Sequence, residues 1–358
     1  MKTSIFICTI AFSAACLLAG CEKENTEISD GGIRFTANGS NTFSVCEVPT
    51  KVSLYNNITD FTNSDASFAV LANDQDYSAT VFGEKIVTKS GDYYEPAEAY
   101  YWYGDYINVY AVAPYSSCPS TISNLKVITD PTDEYKGYLS FDYKTLNSGI
   151  RVNASTLEDI MVGFNQNSHE CSGSSKIVNV NFYHVLSGMR FKAGSTLIGK
   201  TIMSISLIDF EAVGKFYVKI SDSGVDSIKF EASLLGGETP MYTNRYIYDN
   251  KYGVNGVTIA SSDVGNEIGG DGNIIFLPPA ELNTNPPYYS RLRVIIKEDG
   301  KDLVYSKLFP TIVSPPEQEK LKPSYIYDIT IDIDDYKYTR TSTTDNPLRL
   351  SVTKTPME

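Results

Sequence analysis

The sequence predicts an all-β protein of two tandem β-sandwich domains behind a lipoprotein signal peptide, and three observations carry this. Tyr is abundant, at 26 of 358 residues. With Thr, Val and Ile it fills short runs of alternating apolar and polar residues, the pattern of half-buried strands. Gly, Pro, Asn and Asp punctuate these runs, while apolar periodicity of helical length is scarce. The first 21 residues, MKTSIFICTIAFSAACLLAGC, read as a bacterial lipoprotein signal.

Residues 1–20 make the signal peptide. Lys2 supplies a positive start, and Ile5 to Leu18 is an apolar run shorter than the roughly 20 residues that a membrane-spanning helix needs. Leu18-Ala19-Gly20 then places small residues before Cys21, which makes Cys21 the expected lipidation site and the first residue of the mature chain. Each buried methylene of its acyl chains contributes about 0.8 kcal/mol, and stable anchoring takes more than one chain. Residues 21–32 form a flexible tether. Within it Glu22-Lys23-Glu24-Asn25 resembles the surface-export signal of some Gram-negative lipoproteins, so the expected location is the outer face of the outer membrane.

The mature chain of 338 residues is long for one sandwich and ordinary for two domains. Strands are predicted at residues 33–37, 67–72, 107–112, 178–183, 189–193, 202–210, 215–220, 274–277, 292–297, 303–308 and 325–333. The polar run from Asn165 to Ser175 separates the halves, giving domains over 33–170 and 171–338. Residues 339–358 are a linker and a candidate donor strand. Thr339 to Asn346 lacks apolar side chains, and in the following segment Leu348, Leu350 and Val352 fall on one face of an extended strand. Such a strand suits pairing with a sheet edge in a neighbouring molecule or in its own.

Composition excludes several function classes. The formal charge of −13 has no basic block within it, which argues against nucleic acid as a partner. Of six cysteines, Cys8 and Cys16 leave with the signal and Cys21 is acylated. Cys46, Cys118 and Cys171 remain, an odd number without CxxC spacing, read as small buried or unpaired side chains rather than a disulfide or metal site. Only two histidines occur, outside any HExxH motif, and no GxSxG or P-loop accompanies them. His184 in an apolar strand reads as a hydrogen-bonded structural residue, and His169 in the polar linker as solvated. Asp332, Asp334 and Asp335 lack the glycine and terminal Glu of a calcium loop, and alternation sends Asp332 and Asp334 to solvent. No catalytic residue, metal or cofactor is assigned. The stretch from Tyr93 to Tyr103, with Trp102 as the single Trp, offers either core packing or a carbohydrate-stacking face, and core packing is favoured.

Four segments together resemble the fimbrillin-like family, subunits and relatives of type V pili of anaerobic Gram-negative bacteria. They are Ala99-Tyr100-Tyr101-Trp102 with Ile107 to Pro114, Glu158 to Gly163, Val180 to Phe191, and Phe276-Leu277-Pro278-Pro279 with Tyr325-Ile326-Tyr327-Asp328-Ile329. The resemblance implies transthyretin-like sandwiches, display at the cell surface in a fimbria, and other fimbrial subunits as partners in a homo- or hetero-polymer, with a ligand on a host or bacterial surface. It also implies proteolytic removal of the N-terminal strand after a basic residue. Lys51, in Thr50-Lys51-Val52, stands where Arg is usual, and Arg34 is a second site inside a predicted strand. Another subunit's terminal strand, with Leu348, Leu350 and Val352 as its apolar face, then fills the vacated groove. Two other classes compete: a surface glycan-binding lipoprotein using the aromatic stretch, and an enzyme of exopolysaccharide.

Replacing Cys21 with Ala is expected to move the protein from the outer-membrane fraction to the soluble or unprocessed pool, as read by fractionation and immunoblot. Wild-type recovery in the membrane fraction would count against the lipid anchor.

Overall fold

Strands that are apolar on both faces set the architecture. The computed structural model describes residues 33–39, 67–74, 76–98, 106–115, 122–144, 147–148, 151–153, 159–168, 177–211, 213–221, 224–232, 245–270, 274–279, 290–308, 321–334 and 346–357. Cys21, Cys46, Lys51, Tyr100 to Tyr103, Cys118, His169, Cys171, Asp335 and the run from Thr339 to Asp345 lie outside them, as do the signal peptide and the tether.

The first half contains β1 (Arg34–Gly39), β2 (Phe68–Asp74), β3 (Thr80–Ser90), β4 (Tyr93–Pro96), β5 (Tyr106–Ala113), β6 (Ile122–Val127), β7 (Leu139–Lys144), β8 (Asn147–Ser148), β9 (Arg151–Asn153), β10 (Met161–Ser168) and β11 (Ile177–His184). The second contains β12 (Ser187–Ala193), β13 (Thr201–Glu211), β14 (Val213–Ser221), β15 (Gly224–Ala232), β16 (Arg245–Lys251), β17 (Val257–Thr258), β18 (Ile275–Leu277), β19 (Arg291–Glu298), β20 (Lys301–Leu308), β21 (Tyr325–Ile333) and β22 (Asn346–Pro356). The described residues include no α-helix. The all-β expectation therefore holds.

Seven strands close into a barrel in the order β1-β11-β10-β5-β2-β3-β4. Alternate residues point inward: Phe68, Val70 and Ala72 of β2, Ile107, Val109 and Ala111 of β5, and Val178, Val180 and Phe182 of β11. Phe68 packs its ring 4.8 Å from Tyr94 and 5.2 Å from Phe182. Apart from Asn108, the residues between those named on β2 and β5 are apolar too, as are Val162 and Phe164 of β10. Ala69, Leu71, Tyr110, Val112, Val162 and Phe164 face outward into a second core. That is why these stretches read as near-continuous apolar runs rather than as clean alternation.

A four-stranded sheet, β15-β14-β7-β6, supplies inward-facing Phe141, Tyr143 and Phe216 to this second core. The rings of Phe141 and Phe216 stack at 5.0 Å, and Phe230 lies 4.9 Å from Phe216. The sheet draws on both halves of the chain, since β14 pairs with β7 from Val213↔Lys144 to Val218↔Leu139. In return β9 pairs in parallel with β16, at Ile247↔Arg151. The boundary expected near residues 170 and 171 is thus crossed by backbone pairing in both directions, and β11 of the barrel lies beyond it. The polar run expected as a linker is strand at its start, because Asn165 to Ser168 continue β10 against Val109 to Tyr106 of β5. Backbone hydrogen bonds, indifferent to side-chain polarity, extend the ladder there.

In the second half the order β18-β12-β21-β22-β20-β19-β13-β16-β9-β8 runs through two groups of strands joined at β22 and β20. These two strands share only the pairs Tyr305↔Asn346 and Ser306↔Pro347. Ile205 and Leu207 of β13, Leu292, Val294 and Ile296 of β19, and Tyr327, Ile329 and Ile331 of β21 fill the core between them. All eleven strands expected from the sequence are present. Short or polar-alternating strands such as β4, β6 and β15 had gone unread.

Gly163 of β10 faces the barrel interior, where a Cβ would lie 2.4 Å from Val180 Cγ1, 3.0 Å from Phe182 and 3.1 Å from Ala111. Gly163→Ala is therefore expected to overpack the barrel and lower stability by about 1–3 kcal/mol, measured by urea titration. An unchanged midpoint would contradict that packing.

Candidate functional site

The N-terminal strand closes the barrel. Ile33 and Phe35 are 2% and 1% exposed and Ala37 is buried, all three in the barrel interior. β1 pairs in parallel with β11 at six positions, from Arg34↔Ile177 to Gly39↔Phe182, and meets β4 at Phe35↔Tyr94. Burying Ile33 and Phe35 favours the closed barrel by about 1.5–3 kcal/mol each before ordering costs. Without β1, the facing edges of β11 and β4 would present unpaired amides and carbonyls around an open apolar trough. Arg34 lies at the start of this strand. Its Nε is 2.8 Å from Glu95 Oε1 and its guanidinium 5.7 Å from the Tyr93 ring centroid. A protease would have to lift Arg34 out of its ladder to cut there. Lys51 follows β1 in the chain, so cleavage at Lys51 would detach the whole strand.

The C-terminal strand is seated in its own chain. β22 pairs antiparallel with β21 at nine positions, from Tyr325↔Pro356 to Ile333↔Leu348. Leu348 is 3% exposed, and Leu350 and Val352 are half-buried against the same core. Arg349 and Ser351 point out, and Arg349 Nε lies 2.7 Å from Asp334 Oδ1. The amide of Met357 donates to the carbonyl of Ser324 at 2.7 Å. Past Pro347 the outer edge of β22 pairs with no strand among the described residues. It is thus an edge strand with one apolar face.

The remaining sequence candidates are structural. His184 Nδ1 lies 2.5 Å from Asp159 Oδ2 and both side chains are buried, as a hydrogen-bonded core histidine requires. Asp332, expected at solvent, is half-buried and accepts hydrogen bonds from the Thr196 amide (3.1 Å) and hydroxyl (2.7 Å). Gly194 makes room for that carboxylate, which would sit 2.2 Å from an added Cβ. The Tyr-Ile-Tyr-Asp segment places Asp328 opposite Arg190 on β12, where Arg190 donates through Nε (2.6 Å) and Nη2 (3.0 Å) and Lys192 adds a third contact at 3.2 Å. In the aromatic stretch Tyr94 is a barrel-core residue and Tyr93 is half-exposed.

A second aromatic group escaped the sequence reading. On the outer face of the four-stranded sheet, the Tyr135 ring stacks on Tyr217 at 4.2 Å and 25°, and Tyr138 meets Tyr135 edge-on at 5.4 Å. The Lys229 ammonium meets the Tyr135 hydroxyl and lies 2.7 Å from Glu231 Oε1, and Lys215 Nζ lies 5.3 Å from the Tyr217 centroid. Burial, with Glu231 beside it, raises the Tyr217 phenol above its ordinary range. The alternation Lys215-Phe216-Tyr217-Val218 was the signal that could have revealed the group, since it sends Tyr217 to the face opposite the core.

Phe35→Ala is expected to cost about 3–5 kcal/mol and to raise hydrogen exchange in β11 more than in β21, because β11 alone loses its closing partner. Uniform exchange across both strands would deny β1 that closing role.

No family model matches the chain, and no curated protein matches it. Among solved structures, a fimbrial protein from Bacteroides vulgatus ATCC 8482 superposes with a TM-score of 0.53 at 11% identity, over 92% of this chain and 100% of that one. A candidate cell adhesion protein from Bacteroides ovatus ATCC 8483 gives 0.49 at 14% identity over 91% and 96% of the two chains. Another from Bacteroides uniformis ATCC 8492 gives 0.45 at 11% identity over 92% and 100%. At 11% identity the first likeness speaks to architecture, and over nearly its whole length this chain shares the fold of a Bacteroides fimbrial protein.

Proposed function

We propose that this protein is a structural and adhesive subunit of a surface fimbria. It is exported as a lipoprotein through Cys21 and assembled by strand exchange after its N-terminal segment is cut. The observation that carries the reading is the placement of β1, an N-terminal strand that closes the barrel with Ile33, Phe35 and Ala37 inside it. Cleavage at Lys51 separates β1 from the rest of the chain. Its departure leaves a trough whose backbone and apolar side chains demand a replacement strand. β22 is the candidate replacement, an edge strand near the C-terminus with Leu348, Leu350 and Val352 on one face. To serve, it exchanges its pairing with β21 for pairing in a neighbour. Because donor and acceptor surfaces differ, each docked copy leaves the next acceptor open, and the assembly grows as a filament. The fold shared with a Bacteroides fimbrial protein agrees with this role. Apart from the cut made by an external protease, the assembly asks for no catalysis by this chain and no cofactor.

Full-length Cys21→Ala protein treated with trypsin is expected to lose β1 and to run as a ladder on unboiled denaturing gels, with filaments by electron microscopy. A variant lacking residues 339–358 is expected to be trimmed equally and to stay monomeric. A trimmed wild type that remains monomeric, or a truncated variant that polymerises as well as wild type, overturns strand exchange through β22.

A further inference from the structure

We infer that the outer face of the four-stranded sheet carries a saccharide-binding platform built from Tyr135, Tyr138 and Tyr217, with Lys229 and Glu231 at its rim. The inference is independent of fimbrial assembly, since none of these residues belongs to β1, β11, β21 or β22. Its first support is chemical. The three tyrosines are half-exposed, although the same sheet has an apolar core on its other side that takes Phe141, Tyr143, Phe216 and Phe230. Aromatic faces with polar tips suit the C–H face of a pyranose, which is apolar in its plane and ringed by hydroxyls. Lys229, 2.7 Å from Glu231 Oε1 and in contact with the Tyr135 hydroxyl, and the Glu231 carboxylate set a donor and an acceptor side by side at the rim, an edge that suits vicinal hydroxyls.

A second support is rigidity. Tyr135 and Tyr138 stand on a turn that is tied at every step. Asp130 accepts from the Thr132 amide at 2.9 Å and hydroxyl at 2.7 Å, and Asp133 Oδ1 accepts from the Tyr135 amide at 2.8 Å. The Gly137 and Tyr138 amides donate to Ile128 and Tyr135 carbonyls at 2.8 and 2.9 Å, with Gly137 at φ +81°. From beneath, the buried Tyr110 hydroxyl donates to the Gly137 carbonyl at 3.2 Å. A turn fixed this way loses little freedom when a ligand docks, the condition under which a shallow polar surface binds a sugar measurably. A protein partner would call for a larger apolar patch than three half-exposed rings framed by charges. Mixed charge, with Lys215 and Lys229 beside Glu231 and Asp133, favours a neutral pyranose over a polyanion.

The test uses Cys21→Ala protein on an array of mammalian N- and O-glycans and bacterial polysaccharides, with porcine gastric mucin as a second surface. Wild type is expected to bind at least one glycan class. Tyr217→Ala and Tyr135→Ala are expected to weaken that binding about tenfold with melting temperatures unchanged, while Tyr93→Ala binds as wild type. The double variant Lys229→Ala/Glu231→Ala leaves the rings in place and is expected to weaken it as well. It decides the matter if a tyrosine variant does not fold. Absence of binding by wild type on both surfaces, binding unaltered in the double variant, or loss on Tyr93→Ala alone overturns the proposal. Ladder formation after trypsin is expected in every variant, so failure of the platform and failure of the assembly reading are separable.

Discussion

Everything in this molecule is arranged around three strands with no face to spare for water. β2, β5 and β10 present Phe68, Val70, Val109 and Ala111 to the barrel interior and Leu71, Tyr110, Val112 and Phe164 to the other side. A ladder that is apolar on both faces is stable only if both are covered. The barrel covers one face by closing on itself, and closure depends on β1 at a single junction with β4. A second sheet covers the other. Among the described residues the first half supplies β6 and β7 for it, and β14 and β15 from the second half complete the cover.

That demand makes the two halves interdependent. A hairpin from the second half pairs with β7, while β8 and β9 from the first join β16. Between them runs the short passage from β11 to β12, pinned by the buried His184–Asp159 pair and by the Ser324 amide donating to the Leu186 carbonyl at 2.8 Å. A load applied to either terminal strand would therefore act on a body tied by backbone ladders rather than by a linker. Ladders of this kind break only by concerted loss of many hydrogen bonds, which is what the proposed filament would call on.

The two terminal strands differ in how firmly they are held. β1 is enclosed, with pairing on both edges and its apolar side chains inside a closed barrel. β22 has one full partner in β21, a two-residue contact with β20 and an outer edge otherwise without a partner strand among the described residues. The same apolar alternation thus sits inside an enclosed stave in one setting and along a strand with one largely open edge in the other. That difference in burial and pairing is what the proposed strand exchange draws on.

Alternation and turn residues were enough to mark the all-β class and eleven strands, because side-chain period in a strand is a local property. Leu348, Leu350 and Val352 were legible as one face for the same reason. Partner choice was not legible. That β1 runs parallel to β11, that β14 crosses to β7, that Asn165 to Ser168 prolong a strand and that β22 settles on β21 are decided by which edges remain open once the doubly apolar strands are covered. Such pairing joins backbone groups far apart in the chain and leaves no mark in side-chain polarity. The Tyr135–Tyr217 stack is of this kind as well, since a turn and a strand some eighty residues apart in sequence meet only when the hairpin of one half pairs edge to edge with β7 of the other.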